Sequence, residues 1–165
     1  MSDLATIVDR GTLTFVRHLP GPIERVWVYL TDPKFLVKWF SDGAVADGVG
    51  GAVSFEMGAT GRITAYKPPH LLEYTWNEEE ASVGPVTDAL VRWELAQEGN
   101  LVRLTLTHSR LPEIEVLAHC AGWHAFLERL SASADGREPE PVMELYARFK
   151  TDYLPLVQSA GLSLP

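Results

Sequence analysis

His108 closes the run LVRLTLTH, in which Val102, Leu104 and Leu106 alternate with Arg103, Thr105 and Thr107. Period-two alternation marks a half-buried strand, so His108 shares a face with the apolar residues. An imidazole on that face can orient a polar group of a ligand, or act as acid or base near neutral pH; a strand-end histidine bonded to backbone is the plainer alternative. Cys120 and His124 stand at i and i+4, with His119 adjacent. That spacing can form the edge of a metal site, but a structural site takes about four ligands. No CxxC and no HExxH occurs. No metal site is therefore assigned, and Cys120 reads as a small buried apolar residue. GxSxG, P-loop, GxGxxG and paired-carboxylate motifs are also missing, so no catalytic residue and no cofactor is assigned.

The aromatic residues are the more informative set. Phe55, Tyr74, Trp76, Trp93 and Trp123 fall on inward-facing positions, and Trp39 and Phe40 fall where two short helices would close one mouth of a cavity. Large rings in such positions offer contact area to a flat or apolar ligand; filling a core is their other use. With Leu106, His108 and Leu127 these residues form the expected ligand-binding set, while Trp27 reads as packing. Arg17 shares parity with Phe15 and is kept as a polar cavity candidate, because an inward charge would need a partner. Arg92, Glu56 and Glu73 take the opposite parity, and Glu78 to Glu80 read as a solvated loop.

The elements that must position these residues follow from periodicity. Residues 11–19 read as a strand, stopped by Pro20, Gly21 and Pro22. Ile23, Val26, Trp27 and Leu30 recur at helical spacing. Asp32-Pro33 then supplies an N-cap and an N1 proline for a second short helix carrying Phe35, Leu36, Trp39 and Phe40. A loop is expected over 41–51. Five strands follow: one through Val53, Phe55 and Met57; one through Ile63 and Ala65 after a turn at 58–61; one through Leu72, Tyr74 and Trp76; one through Val91, Trp93 and Leu95; and one through Val102 to His108 after a hairpin at Glu98-Gly99-Asn100. Residues 113–133 read as one long helix with Val116, Cys120, Trp123, Leu127 and Leu130 on one face. A linker at 134–140 leads to a last helix over 141–157, with Val142, Leu145, Tyr146, Phe149 and Tyr153 on one side. The expected class is α+β: a curved antiparallel sheet of about six strands around one long helix, with a cavity between them.

Size and charge limit the partners. The 165 residues fit one domain, 1–165, and 46% apolar with 22% charged residues is ordinary globular composition. A net charge of −8 repels phosphate backbones and anionic lipid, so nucleic acid and membrane are not expected partners. No secretory signal and no apolar run of membrane-spanning length is seen, and Cys120 has no second cysteine to pair with. A cytoplasmic protein is expected.

Several segments together carry a family resemblance: RHLPGPIERVWVYLTDPKFLVKWF at 17–40, YTW at 74–76, LVRWEL at 90–95, LVRLTLTHSRLP at 101–112 and AGWHAFLERL at 121–130. Over roughly residues 10–133 the chain resembles the START/SRPBCC superfamily, the helix-grip fold of the birch-pollen allergen. More narrowly, it resembles the family related to the C-terminal domain of the activator of the heat-shock chaperone ATPase. The resemblance implies the fold directly. Its scaffold hosts carriers, cyclases, hydrolases and chaperone cofactors. The expected function is binding of a small hydrophobic ligand in the cavity. A cyclase- or hydrolase-like enzyme using the same cavity, with His108 as its polar group, and a chaperone-cofactor or protein-interaction role stand as alternatives. A separate N-terminal domain like that of the eukaryotic chaperone activators is not expected within these 165 residues. The last helix extends beyond the minimal fold and would cap the cavity, pack on the sheet, or join two protomers, which leaves a homodimer open.

Overall fold

The computed structural model describes residues 3–165. Its elements are β1 (Thr6–Asp9), β2 (Thr12–Pro20), α1 (Ile23–Thr31), α2 (Pro33–Trp39), β3 (Gly43–Val45), β4 (Ala52–Phe55), β5 (Ala59–Lys67), β6 (Leu71–Glu78), β7 (Val86–Glu98), β8 (Leu101–Ser109), a 3-10 turn (Glu113–Glu115), α3 (Val116–Ala134) and α4 (Val142–Ser159). The strands form one antiparallel sheet in the order β1-β2-β8-β7-β6-β5-β4-β3. The long connection from β2 through α1 and α2 lets β2 pair with β8, so the first long strand lies beside the last. The helix-grip arrangement expected from the sequence is present, with one sheet packed against α3.

The sheet has eight strands where about six were expected. The two additional ones are edge elements without apolar alternation. β1 exposes most of its residues and is held by its pairing with β2; β3 is a three-residue piece inside the Gly- and Asp-rich stretch. The turn expected at 58–61 lies earlier, because β5 already starts at Ala59. That shift takes Met57 out of the strand and leaves it 43% exposed.

Local chemistry explains the helix boundaries. The Asp32 carboxylate accepts the Lys34 backbone N–H at 2.9 Å, with Pro33 at N1, and so separates α1 from α2. α3 buries residues on almost every side, including Val116, Cys120, Trp123, Leu127 and Leu130 on the expected face, because the sheet covers one side and α4 another. α4 buries Leu145, Phe149, Tyr153 and Val157, a repeat of four that keeps one stripe against α3. The last helix therefore docks within its own chain.

Candidate functional site

A cavity of about 490 Å³ lies between the end of β6, the 79–85 segment, α3 and the first turns of α4. Phe40, Trp76, Trp123, Phe126 and Tyr146 line it, together with the exposed Met57 and Met143. α3 supplies one side through Ala118, His119, Gly122, Trp123 and Phe126, a spacing that keeps all five on one helix face. Phe40 caps α2, where its N–H bonds the Leu36 carbonyl. Its ring stacks on Trp123, with centroids 5.5 Å apart and planes 9° from parallel, and meets Phe55 and Phe126 edge-on. These contacts hold the rings in place before anything binds. Gly122 leaves the α3 side bare: a Cβ built there meets no atom within 4 Å.

One polar pair interrupts the aromatic wall. His119 Nε2 lies 2.9 Å from the Glu78 carboxylate, and its Nδ1–H donates to the Glu115 carbonyl at 2.9 Å. Burial opposes a charge on both members. For His119 the hydrogen bond and charge of Glu78, with the Glu115 groups behind, outweigh burial and raise the imidazole above its ordinary value. For Glu78 burial is likewise outweighed, chiefly by the His119 hydrogen bond and charge, and the carboxyl sits below its ordinary value. Each group thus favours the charged form of the other. With both ring nitrogens engaged by protein, His119 has none left to exchange a proton with a bound molecule.

His108 lies deeper. It is fully buried, with its ring 5.5 Å from Trp76 and 6.0 Å from Trp123, and it is outside the cavity wall. Trp123 Nε1–H donates to its Nδ1 at 2.9 Å, so the proton of the neutral ring sits on Nε2, which finds no hydrogen-bond partner among the described residues. Burial, reinforced by the His119 charge, holds His108 well below its ordinary value. Acid–base chemistry needs reach to the reacting atom, and His108 touches the lining residues Trp76, His119 and Trp123 without lining the cavity itself.

Of the residues singled out from sequence, Phe40, Trp76 and Trp123 line the cavity. Trp39, Phe55, Tyr74, Trp93, Leu106 and Leu127 face inward as expected but are buried in the core beside it. Their polar atoms are satisfied there: Trp39 Nε1–H donates to the Tyr29 carbonyl at 2.9 Å and Trp93 Nε1–H to the Tyr74 hydroxyl at 3.0 Å. Arg17 also faces inward, 8% exposed, but on the α4 side near Tyr153 and Glu128. Parity along a strand tells which face a side chain takes and not how deep under the neighbouring helix it lies. Glu78, Glu115, Gly122, Phe126 and Tyr146 do not stand out as site residues in the sequence, and His119 does so only through its metal-type spacing with Cys120 and His124. His119, Gly122 and Phe126 carry a usable signal, since they share one face of α3 with Trp123; Glu78 belongs to β6 because that strand runs two residues beyond its apolar alternation. Among the described residues no group of three histidine, cysteine or acidic side chains is placed to hold a metal ion. No described helix is long and apolar enough to cross a membrane.

The family model described as "Activator of Hsp90 ATPase homolog 1-like protein" matches residues 20–135. The chain belongs to that family. The match ends before α4, so the helix that brings Met143 and Tyr146 to the cavity lies outside it. Among solved structures, CalU16 from Micromonospora echinospora is 25% identical with a TM-score of 0.75, over 88% of each chain. A Bordetella parapertussis protein, encoded by gene BPP1335, is 29% identical with a TM-score of 0.72, over 90% of this chain and 87% of its own. The Aha1 dimer from Colwellia psychrerythraea is 21% identical with a TM-score of 0.62, over 74% of this chain and 95% of its own, and is a likeness of fold. No curated protein matches this chain.

Proposed function

We propose that this family member binds a small, largely apolar molecule, neutral or cationic, in the cavity between β6, α3 and α4. The observation that carries the reading is an open cavity of about 490 Å³ walled by five aromatic side chains. Rings held by their neighbours lose little freedom when a ligand packs on them. The charge preference follows from the wall: Glu78 and Glu80 line it, and no lysine or arginine does. His119, its one basic group, is already paired with Glu78. A carboxylate ligand would meet acidic groups without a free cation, whereas an ammonium group can rest on an aromatic face.

Two measurements test this. Native mass spectrometry of protein purified from cells, compared with a denatured sample, reports any ligand that stays bound. Titration with N-phenyl-1-naphthylamine, a neutral fluorescent probe, reports binding directly. Gly122→Leu places a side chain in the bare part of the wall and improves helix propensity, so it is expected to fold as the parent does and to lose at least about tenfold in probe affinity. Equal affinity in the two proteins, or no binding to the parent at saturating probe, would overturn the reading and move weight to a protein partner.

A further inference from the structure

We infer that Glu115 is the positioning residue of this cavity: its carboxylate latches the 79–85 segment, and release of that segment is the path by which a molecule reaches the aromatic wall. The inference rests on the proposed binding function and concerns how the same site is opened. The segment joins β6, which ends at Glu78, to β7, which starts at Val86. Glu80, Ala81 and Ser82 from it form part of the cavity wall.

Its attachments are polar. The Glu115 side chain, 1% exposed, accepts the backbone N–H groups of Ser82 at 3.1 Å, Val83 at 2.6 Å and Gly84 at 3.2 Å. Hydrogen bonds to an ionised acceptor are about twice as strong as neutral ones. Within the segment a single backbone bond runs from the Ala81 N–H to the Gly84 carbonyl at 3.3 Å. Apolar anchoring is slight: Glu79, Glu80 and Val83 are exposed, and Ala81 packs partly on the core.

Both roots of the segment are fixed. Glu78 is tied to His119, and Val86 is 1% exposed in the core. Glu115 and His119 are one helical turn apart, so the start of α3 holds the root and the tip of the segment together. Loss of three hydrogen bonds at the tip frees 79–85 while the sheet, α3 and the aromatic wall stay packed. This is the physical signature of a local opening unit: few buried apolar contacts and a small number of polar attachments.

Glu115→Gln tests the latch. An amide keeps one acceptor oxygen and turns its NH₂ toward backbone N–H groups, so it cannot hold three donors. Amide hydrogen exchange at Ser82, Val83 and Gly84 is expected to quicken by about tenfold or more, with exchange in β6 and β7 unchanged. In stopped-flow mixing with N-phenyl-1-naphthylamine, association and dissociation rates are both expected to rise several-fold. Val83→Pro removes the shortest donor from the segment's side and leaves α3 intact; it is expected to act in the same direction should Glu115→Gln fail to fold. Faster exchange with unchanged probe rates would overturn the gate, and unchanged exchange would overturn the latch. A parent protein that binds no probe, yet shows the exchange effect, would overturn the binding function and the gate with it.

Discussion

Tyr153 on α4 places its hydroxyl 2.8 Å from Nδ1 of His124 on α3, and the same oxygen accepts the Ala5 backbone N–H at 2.7 Å. One phenol thus ties the last helix, the central helix and the start of the chain. Burial, and then the Arg17 charge, push the His124 imidazole down to about 3, so it meets this hydroxyl as a neutral ring. Phe149 stacks on the same imidazole with ring centroids 3.8 Å apart. Tyr153→Phe keeps the ring and removes the hydroxyl that the His124 ring and the Ala5 N–H share. It is expected to cost about 1–3 kcal/mol of stability, read by urea denaturation, with secondary structure retained by circular dichroism.

The histidines predict a stability that falls on both the acid and the alkaline side. His108 and His124 are held below their ordinary value, His124 down to about 3, by burial first and then by a neighbouring charge: His119 for His108 and Arg17 for His124. Below about pH 6.5 the unfolded chain takes protons that these two refuse, so stability falls as pH falls. His119 is raised above its ordinary value. Its contribution is complete below about pH 6.5 and is lost as pH rises through its folded value. Each proton of difference gives a slope of about 1.4 kcal/mol per pH unit. Urea midpoints measured from pH 5 to 9 should therefore fall on both sides. His119→Gln should remove the alkaline decline, and His124→Phe should roughly halve the acid slope between about pH 5 and 6. A flat profile in the parent would contradict these protonation states.

Trp93 and Trp123 touch edge to face with centroids 5.6 Å apart, yet only Trp123 lines the cavity. Truncation of either leaves a void, with a cost of about 3–5 kcal/mol for a fully buried large aromatic and less for the smaller change to Leu. Their effects on binding should differ. Trp123→Leu is expected to weaken probe binding several-fold because it removes a wall. Trp93→Leu should lower the thermal midpoint and leave probe affinity within about twofold. Equal loss of binding in both would mean that the cavity reaches deeper than Trp123.

Gly61 in β5 has the Thr75 carbonyl of β6 directly over its Cα, and a Cβ there would overlap that oxygen. The two strands pair across this point, so neither backbone can retreat without loss of the register that brings Trp76 inward. Gly61→Ala is expected to destabilise by at least about 3 kcal/mol or to prevent folding, measured by soluble yield and thermal unfolding. An alanine variant with parental stability would show that the β5–β6 pairing adapts at this point.

The α+β class, the strand–helix–helix–sheet–helix order and the inward parity of Trp76, Trp93, Phe55 and Tyr74 follow from the sequence alone. Each rests on a local cause: alternation in strands, a 3.6-residue repeat in helices, an Asp32-Pro33 cap. The short edge strands β1 and β3 escaped because hydrogen bonding to a neighbour, not apolar patterning, creates them. The same limit explains the site. Phe40, Trp76 and Trp123 reach the cavity while Trp39, Tyr74 and Trp93 do not, and no sequence period distinguishes them, because depth is decided by how α3 and α4 lie over the sheet. Glu78, Glu115 and His119 are drawn from β6, the 3-10 turn and the first turn of α3. Separate stretches of chain carry them, and only packing brings two carboxylates and an imidazole into one polar cluster beside an aromatic wall. Tertiary structure therefore decided which inward rings face an open space and which polar groups border it, since both depend on distances between elements remote in the chain.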